Sequence, residues 1–138
     1  MNIRPFQAED EPAVIALWER CELTRSWNDP HKDVARKLSV QRELFLVGVD
    51  GSTLVAAVMA GYDGHRGSVN YLAVDPAHRR RGHGAALMRH VETLLAERGC
   101  PKINLIVRSA NAAVIAFYRK LGYAPDAVVP LGKRLIPD

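Results

Sequence analysis

Apolar positions recur along this chain at two periods, and stretches of the two periods alternate. Between Asp10 and the Trp27-Asn28-Asp29-Pro30 break, Val14, Leu17, Trp18 and Cys21 fall at i, i+3, i+4 and i+7, the spacing of one buried helix face. A shorter second helix is expected over residues 33–38. Leu87, Val91, Leu94 and Leu95 predict a third helix that stops at Gly99, with Pro101 beyond. Val114, Phe117, Tyr118 and Leu121 predict a fourth, with Ser109 or Asn111 as its cap and Gly122 closing it. Short apolar and β-branched runs lie between the helices, at residues 3–6, 44–49, 54–60, 69–74 and 103–107. Asp50-Gly51 is a hairpin turn between two of them, and Asp75-Pro76 stops the strand over 69–74. Residues 103–107 read as a strand covered on both faces. Two final strands are expected over 123–129 and 131–136. The sum is a mixed sheet with helices on both faces.

Composition narrows the class. The chain has 138 residues, of which 48% are hydrophobic and 25% charged, a balance that excludes disorder as the dominant state. That length suits a single domain over residues 1–138, burying roughly two-thirds of its unfolded surface. Cys21 and Cys100 sit in no CxxC or Cys/His cluster, and the five histidines show no HExxH spacing, so no disulfide scaffold and no metal site are expected. The opening MNIRPFQAEDEP lacks the apolar core of a signal peptide. No run approaches the roughly eighteen apolar residues of a membrane span. A cytoplasmic address without a membrane partner is the expectation.

Charge then points to a ligand. The net charge is +4, and His78, Arg79, Arg80, Arg81 and His83 form one dense basic block. The block lies between a strand and a helix, followed by Gly82-His83-Gly84. The first turn of a helix has unpaired N–H groups, and its dipole favours negative charge. Two glycines let backbone approach a phosphate closely, and arginines add charge-assisted hydrogen bonds. A pyrophosphate fits this description. The Walker pattern GxxxxGK[ST] is absent, and GxGxxG fails because Ala85, Ala86 and Leu87 follow Gly84. A nucleic-acid partner is not expected, because the basic residues crowd one turn without aromatic interleaving or a recognition-helix pattern.

With Arg79, Gly82 and Gly84 the loop matches [RQ]-x-x-G-x-[GA], and in this the sequence resembles the GNAT superfamily of acetyl-CoA-dependent N-acetyltransferases. Leu72-Ala73-Val74-Asp75-Pro76 before the loop and Asn111…Phe117-Tyr118-Arg119-Lys120-Leu121-Gly122-Tyr123 after it match in the same order. Trp18-Glu19-Arg20-Cys21, Trp27-Asn28-Asp29-Pro30, the stretch from Gly61 to Gly67 and that from Leu131 to Ile136 are similar to the YpeA branch. The resemblance implies an α/β fold: a mixed, mostly antiparallel twisted sheet of six to seven strands, flanked by about four helices. It also implies a splay between the strands at 69–74 and 103–107.

The resemblance further implies site roles. The pantetheine arm of acetyl-CoA would pair with backbone at Leu72, Ala73 and Val74. The pyrophosphate would sit on Arg79, Arg80, Arg81, Gly82, His83, Gly84 and Ala85. Asn111 would hydrogen-bond the cofactor arm. A strand N–H would stabilise the oxyanion, and Tyr118 would protonate the departing thiolate. Some relatives carry a glutamate base on the strand over 103–107. Ile106 stands at that place here, leaving Glu43, Asp63 and His65 as substitutes. Trp27, Asn28, Asp29, Asp63 and His65, with Tyr62 and Arg66, are the acceptor-side candidates. The expected partners are acetyl-CoA and an amine acceptor, with a homodimer admitted by the family. The expected function is N-acetylation of a primary amine of a small molecule or peptide by direct attack. A non-catalytic acyl-CoA sensor on the same scaffold is the alternative.

Overall fold

In the computed structural model, which describes residues 1–138, Asp50-Gly51 makes the expected turn between β2 (Phe45–Asp50) and β3 (Thr53–Tyr62). Gly51 has φ +63°, which glycine adopts without steric cost. β1 (Asn2–Pro5) pairs with β2, and β4 (Gly67–Val74) with β3, all antiparallel. β5 (Ile103–Asn104) joins β4 in parallel, giving the order β1-β2-β3-β4-β5. The helices are α1 (Glu11–Arg20), α2 (Pro30–Leu38), α3 (His83–Glu97) and α4 (Ala112–Lys120). The fold is thus mixed α/β with a mostly antiparallel sheet.

Residues 1–104 together with Asp138 form one compact unit, and residues 105–137 form a second. In the first, β3 is buried on both faces from Val55 to Ala60. Ala57 and Met59 share a cluster with Phe45 and Val47 of β2, Val14, Leu17 and Trp18 of α1, and Val34 of α2. By the two-residue period of a strand, Leu46, Ala56, Val58 and Ala60 face the other way. On that side α3 packs on β3 and β4 with Leu87, Met88, Val91 and Leu95 buried. Gly67 marks a close approach: a Cβ there would lie 2.9 Å from Cys100 Sγ, 3.0 Å from Leu95 Cδ1 and 3.1 Å from Ile103 Cγ1.

Three expectations need correction. α2 begins at Pro30, earlier than residue 33, because the Asp29 side chain accepts the His31 N–H and Pro30 suits the first helical position. β5 ends at Asn104, well before residue 107, and Ile106 is 82% exposed. Residues 123–129 and 131–136 form no strands, so the sheet has five strands and not six to seven. Pro125 removes a backbone donor inside the first range, and Pro130 and Pro137 bound the second. Val128, Val129, Leu131, Leu135 and Ile136 are accordingly exposed.

Candidate functional site

β4 departs from a regular strand. Its register with β3 passes from Met59 opposite Asn70 to Ala57 opposite Ala73, so Val58 faces two residues, Tyr71 and Leu72. This is a β-bulge, which leaves a residue out of the ladder. Tyr71 takes φ +54°. Left-handed backbone costs an L-residue about 1–2 kcal/mol, so other contacts must hold it. The Tyr71 ring stacks on Trp18 at 4.0 Å, and its hydroxyl donates to Asp33 Oδ2 at 2.7 Å. Burial, and then the bond to Asp33, pushes the phenol up to about 12. On the other edge of β4, pairing with β5 covers only Gly67 and Ser68. Backbone at Leu72 and Ala73 is therefore not spent on a β5 ladder. The Val74 carbonyl accepts from Cys21 Sγ at 3.3 Å and from Arg79 Nε at 3.4 Å.

Asp75 then turns the chain. Its Oδ1 accepts the Ala77 N–H and its Oδ2 accepts from Arg20, both at 2.9 Å, and these bonds hold the carboxyl below its ordinary range. Arg79, Arg80 and Arg81 follow, all exposed. Arg80 has φ +66° and Gly82 φ +75°. Gly82 caps α3 through its carbonyl, which accepts the Ala86 N–H at 3.0 Å. No side chain caps this 15-residue helix, and no acidic residue stands in its first turn. The positive end of the helix dipole thus has no anionic complement from its own sequence. A Cβ at Gly82 would meet nothing within 4 Å, so the approach is open. His83 Nε2 is screened from solvent with no hydrogen-bond partner. Exposed guanidiniums, uncapped N–H groups, an open glycine and an unsatisfied imidazole nitrogen together suit a polyanion.

The remaining candidates divide between the two units. In the second unit, Asn111 caps α4, its Oδ1 accepting the Val114 N–H at 3.3 Å. Tyr118 lies on α4 with its ring edge-on to Phe117 at 5.1 Å and to Tyr123 at 5.5 Å. Burial pushes its phenol up to about 12, so it stays protonated at neutral pH. In the first unit, Trp27 is 53% exposed at the entry to α2. Asn28 Nδ2 donates to Asp33 Oδ2 at 3.4 Å. The Asp29 N–H donates to Asp138 Oδ2 at 3.0 Å, and Arg36 donates to Asp138 Oδ1 at 2.5 Å. Arg36 also reaches Asp33 Oδ1 at 3.1 Å. The structure thus gathers Asn28, Asp29 and Asp33 around the start of the helix that holds Tyr71.

Two of the substitute bases have structural occupations. Glu43 accepts from Arg98 at 2.8 Å. Asp63 accepts the N–H groups of His65 and Arg66, both at 2.7 Å, and those two bonds hold its carboxyl low. His65 is exposed in the same turn between β3 and β4. Sequence reasoning passed over Tyr71 and Asp33. A left-handed tyrosine leaves no trace in a run such as Val69-Asn70-Tyr71-Leu72-Ala73-Val74, whose apolar and β-branched composition reads as an ordinary strand. No three of the His, Cys, Asp and Glu side chains are grouped to hold a metal ion, and no helix is long and apolar enough to cross a membrane.

Residues 11–123 match the model of the acetyltransferase (GNAT) family. An acetyltransferase of Yersinia pestis (strain Pestoides F) is 53% identical over 138 residues, covering 100% of this chain and 98% of the relative. Among solved structures, Ard1 from Thermoplasma volcanium is similar with a TM-score of 0.79 at 28% identity, covering 91% of this chain and 84% of that one. The ribosomal-protein-S18-alanine N-acetyltransferase from Escherichia coli is similar with a TM-score of 0.73 at 28% identity, covering 88% and 76%.

Proposed function

This chain belongs to the acetyltransferase (GNAT) family, and we propose that residues 1–138 work as one N-acetyltransferase domain that moves acetyl from acetyl-CoA to a primary amine of a small molecule or peptide. The open, left-handed Gly82 turn at the mouth of α3 carries the reading. Its N–H groups, with Arg79 to Ala85, bind the pyrophosphate. The β4 edge at Leu72, Ala73 and Val74, left without a β5 partner, binds the pantetheine arm. Asn111 bonds the same arm.

The chemistry is a direct displacement. The amine nitrogen attacks the thioester carbon, and the carbonyl electrons move onto oxygen. The Leu72 N–H stabilises that oxyanion as a fixed donor. Collapse re-forms the carbonyl and breaks the C–S bond. The CoA sulfur takes a proton from Tyr118, the nitrogen loses one to solvent, and solvent then restores Tyr118. Burial pushes the Tyr118 phenol up to about 12, so the hydroxyl still carries its proton when the thiolate leaves.

Proton removal sets the acceptor class. Ile106 cannot take a proton, while Glu43 and Asp63 are engaged elsewhere. A lysine amine costs roughly 4–5 kcal/mol to deprotonate at pH 7, whereas an α-amine costs about 1 kcal/mol. The reading therefore favours an α-amine. The Escherichia coli neighbour, by its name, acetylates an alanine of ribosomal protein S18, and an alanine offers its α-nitrogen. Trp27, Asn28, Asp29, Asp63 and His65 stand on the acceptor side. An amine panel monitored by thiol release from acetyl-CoA tests the reading, with turnover expected for α-amines. Binding of acetyl-CoA without release for any amine leaves only a sensor. No heat with CoA or acetyl-CoA at millimolar levels (~1 mM, a bound of about 4.1 kcal/mol) overturns the reading outright.

A further inference from the structure

We propose that Asp33 and Tyr71 are a positioning pair: by tying the phenol of the bulge residue to α2, they aim the neighbouring Leu72 N–H at the acetyl carbonyl. The inference rests on the reading that β4 backbone at the bulge receives the thioester.

Tyr71 is the bulge residue itself, and its backbone is left-handed at φ +54°. Its side chain is fixed at two places. The ring lies against fully buried Trp18 of α1, 4.0 Å between centroids and within 16° of parallel. The hydroxyl donates to Asp33 Oδ2 at 2.7 Å, across 38 positions of sequence. Packing against Trp18 needs only a ring, and phenylalanine would supply it. The hydroxyl adds one directional bond that links the bulge to a different helix.

Asp33 is in turn held by two further donors. Arg36 donates to its Oδ1 at 3.1 Å, and Asn28 Nδ2 lies 3.4 Å from its Oδ2. A carboxylate fixed by three donors is a rigid anchor, because each bond removes a rotation that the others leave. Rotation about the Tyr71 backbone would also reorient the peptide plane that carries the Leu72 N–H, since that N–H belongs to the Tyr71–Leu72 peptide. A ring on Trp18 alone can slide. A ring on Trp18 with its far end bonded to Asp33 cannot slide without breaking that bond. Neither side chain need touch the reacting atoms.

The test reads the carbonyl directly. Infrared difference spectra of bound acetyl-CoA, labelled with carbon-13 at the carbonyl, report how strongly that carbonyl is polarised. In the wild type the stretch falls below its value in free acetyl-CoA. In Tyr71→Phe it returns towards the free value, and thiol release with an accepted amine slows roughly ten- to a hundredfold while acetyl-CoA affinity holds. Asp33→Asn keeps an oxygen that accepts the hydroxyl and retains most of the shift. Asp33→Leu matches Tyr71→Phe, and the double variant is no worse than either alone. A stretch in Tyr71→Phe that stays at the wild-type value, with the ligand bound, overturns the inference even if the variant melts lower. Failure of the wild type to bind acetyl-CoA instead overturns the reading on which the inference rests, and the inference with it.

Discussion

Gly82→Ala separates the fold from the site. Gly82 sits at φ +75°, and a Cβ built there has nothing within 4 Å, so its conformational cost is torsional only. Left-handed backbone costs alanine about 1–2 kcal/mol. The less flexible unfolded chain returns about 0.4–1 kcal/mol, leaving a net loss of at most about 1.6 kcal/mol. At ~2.1 cal/mol/K per residue the unfolding entropy of the chain is ~290 cal/mol/K, so the melting temperature falls by no more than about 5 °C. The new methyl nonetheless projects into the open mouth of α3. If a diphosphate sits there, acetyl-CoA affinity drops roughly tenfold or more, about 1.4 kcal/mol. Gly51→Ala is the matched control: φ is +63°, nothing lies within 4 Å, and the position is in the β2–β3 turn. It should lose similar stability and no affinity. Differential scanning calorimetry gives the first quantity, and titration calorimetry with acetyl-CoA gives the second. Equal stability loss in the two variants with unchanged acetyl-CoA binding in Gly82→Ala would refute the anion seat.

Three further outcomes follow from named contacts. Gly67→Ala forces a Cβ to within 2.9–3.1 Å of Cys100, Leu95 and Ile103, and should cost about 1–3 kcal/mol by overpacking, seen as a lower denaturation midpoint. A neutral result there would mean that β5 shifts freely. Tyr118→Phe keeps the ring contacts with Phe117 and Tyr123 but removes the proton, so turnover should fall ~10²–10⁴-fold with acetyl-CoA affinity held; unchanged turnover removes Tyr118 from the mechanism. Asp138 titrates at about 2, depressed chiefly by its bond to Arg36 and then by the Asp29 N–H. The depressed value means that its tether is intact above the ordinary carboxyl pKa of ~3.9 and is lost as pH falls through about 2. Carboxyl carbon-13 shifts should show that midpoint in the wild type and an ordinary one in Arg36→Gln; an ordinary midpoint in both would contradict the tether.

What the sequence made legible is what periodicity and turn chemistry encode locally. The spacing of Val14, Leu17 and Trp18 announced the face that α1 buries, and Asp50-Gly51 announced the first hairpin. The basic block before the glycines announced the uncapped mouth of α3, because anion binding there needs only short-range backbone and charge. The bulge was not legible. A strand with one extra residue keeps its composition, and only the β3 register reveals that Val58 faces two partners. The final strands were misread for the opposite reason. Val128, Val129, Leu131, Leu135 and Ile136 have strand propensity, but Pro125 removes a donor inside the first range, Pro130 and Pro137 confine the second, and no partner strand covers these exposed side chains. Glu43 and Asp63 looked like free carboxylates because Arg98 lies 55 positions from the first, and the turn N–H groups around the second need coordinates to appear.

The left-handed tyrosine follows from how the first unit is packed. Phe6 stacks on Phe45 at 4.3 Å, Phe45 on Trp18 at 6.3 Å and Trp18 on Tyr71 at 4.0 Å, a column of rings from beside β1 to the bulge. Trp18 is fully buried with its Nε1 unpartnered, which costs about 1–3 kcal/mol. The Tyr71 backbone adds about 1–2 kcal/mol. Against these stand three aromatic contacts of about 0.5–1.5 kcal/mol each and a phenol–carboxylate bond of about 1.5–3 kcal/mol. Gains of roughly 3–7.5 kcal/mol balance losses of roughly 2–5 kcal/mol. Of these contacts the Trp18 ring and the Asp33 carboxylate are the ones that touch Tyr71, and both lie within the first unit. A donor held before the substrate arrives need not be reoriented as charge develops, and this is the condition under which a single backbone N–H contributes most to lowering a barrier.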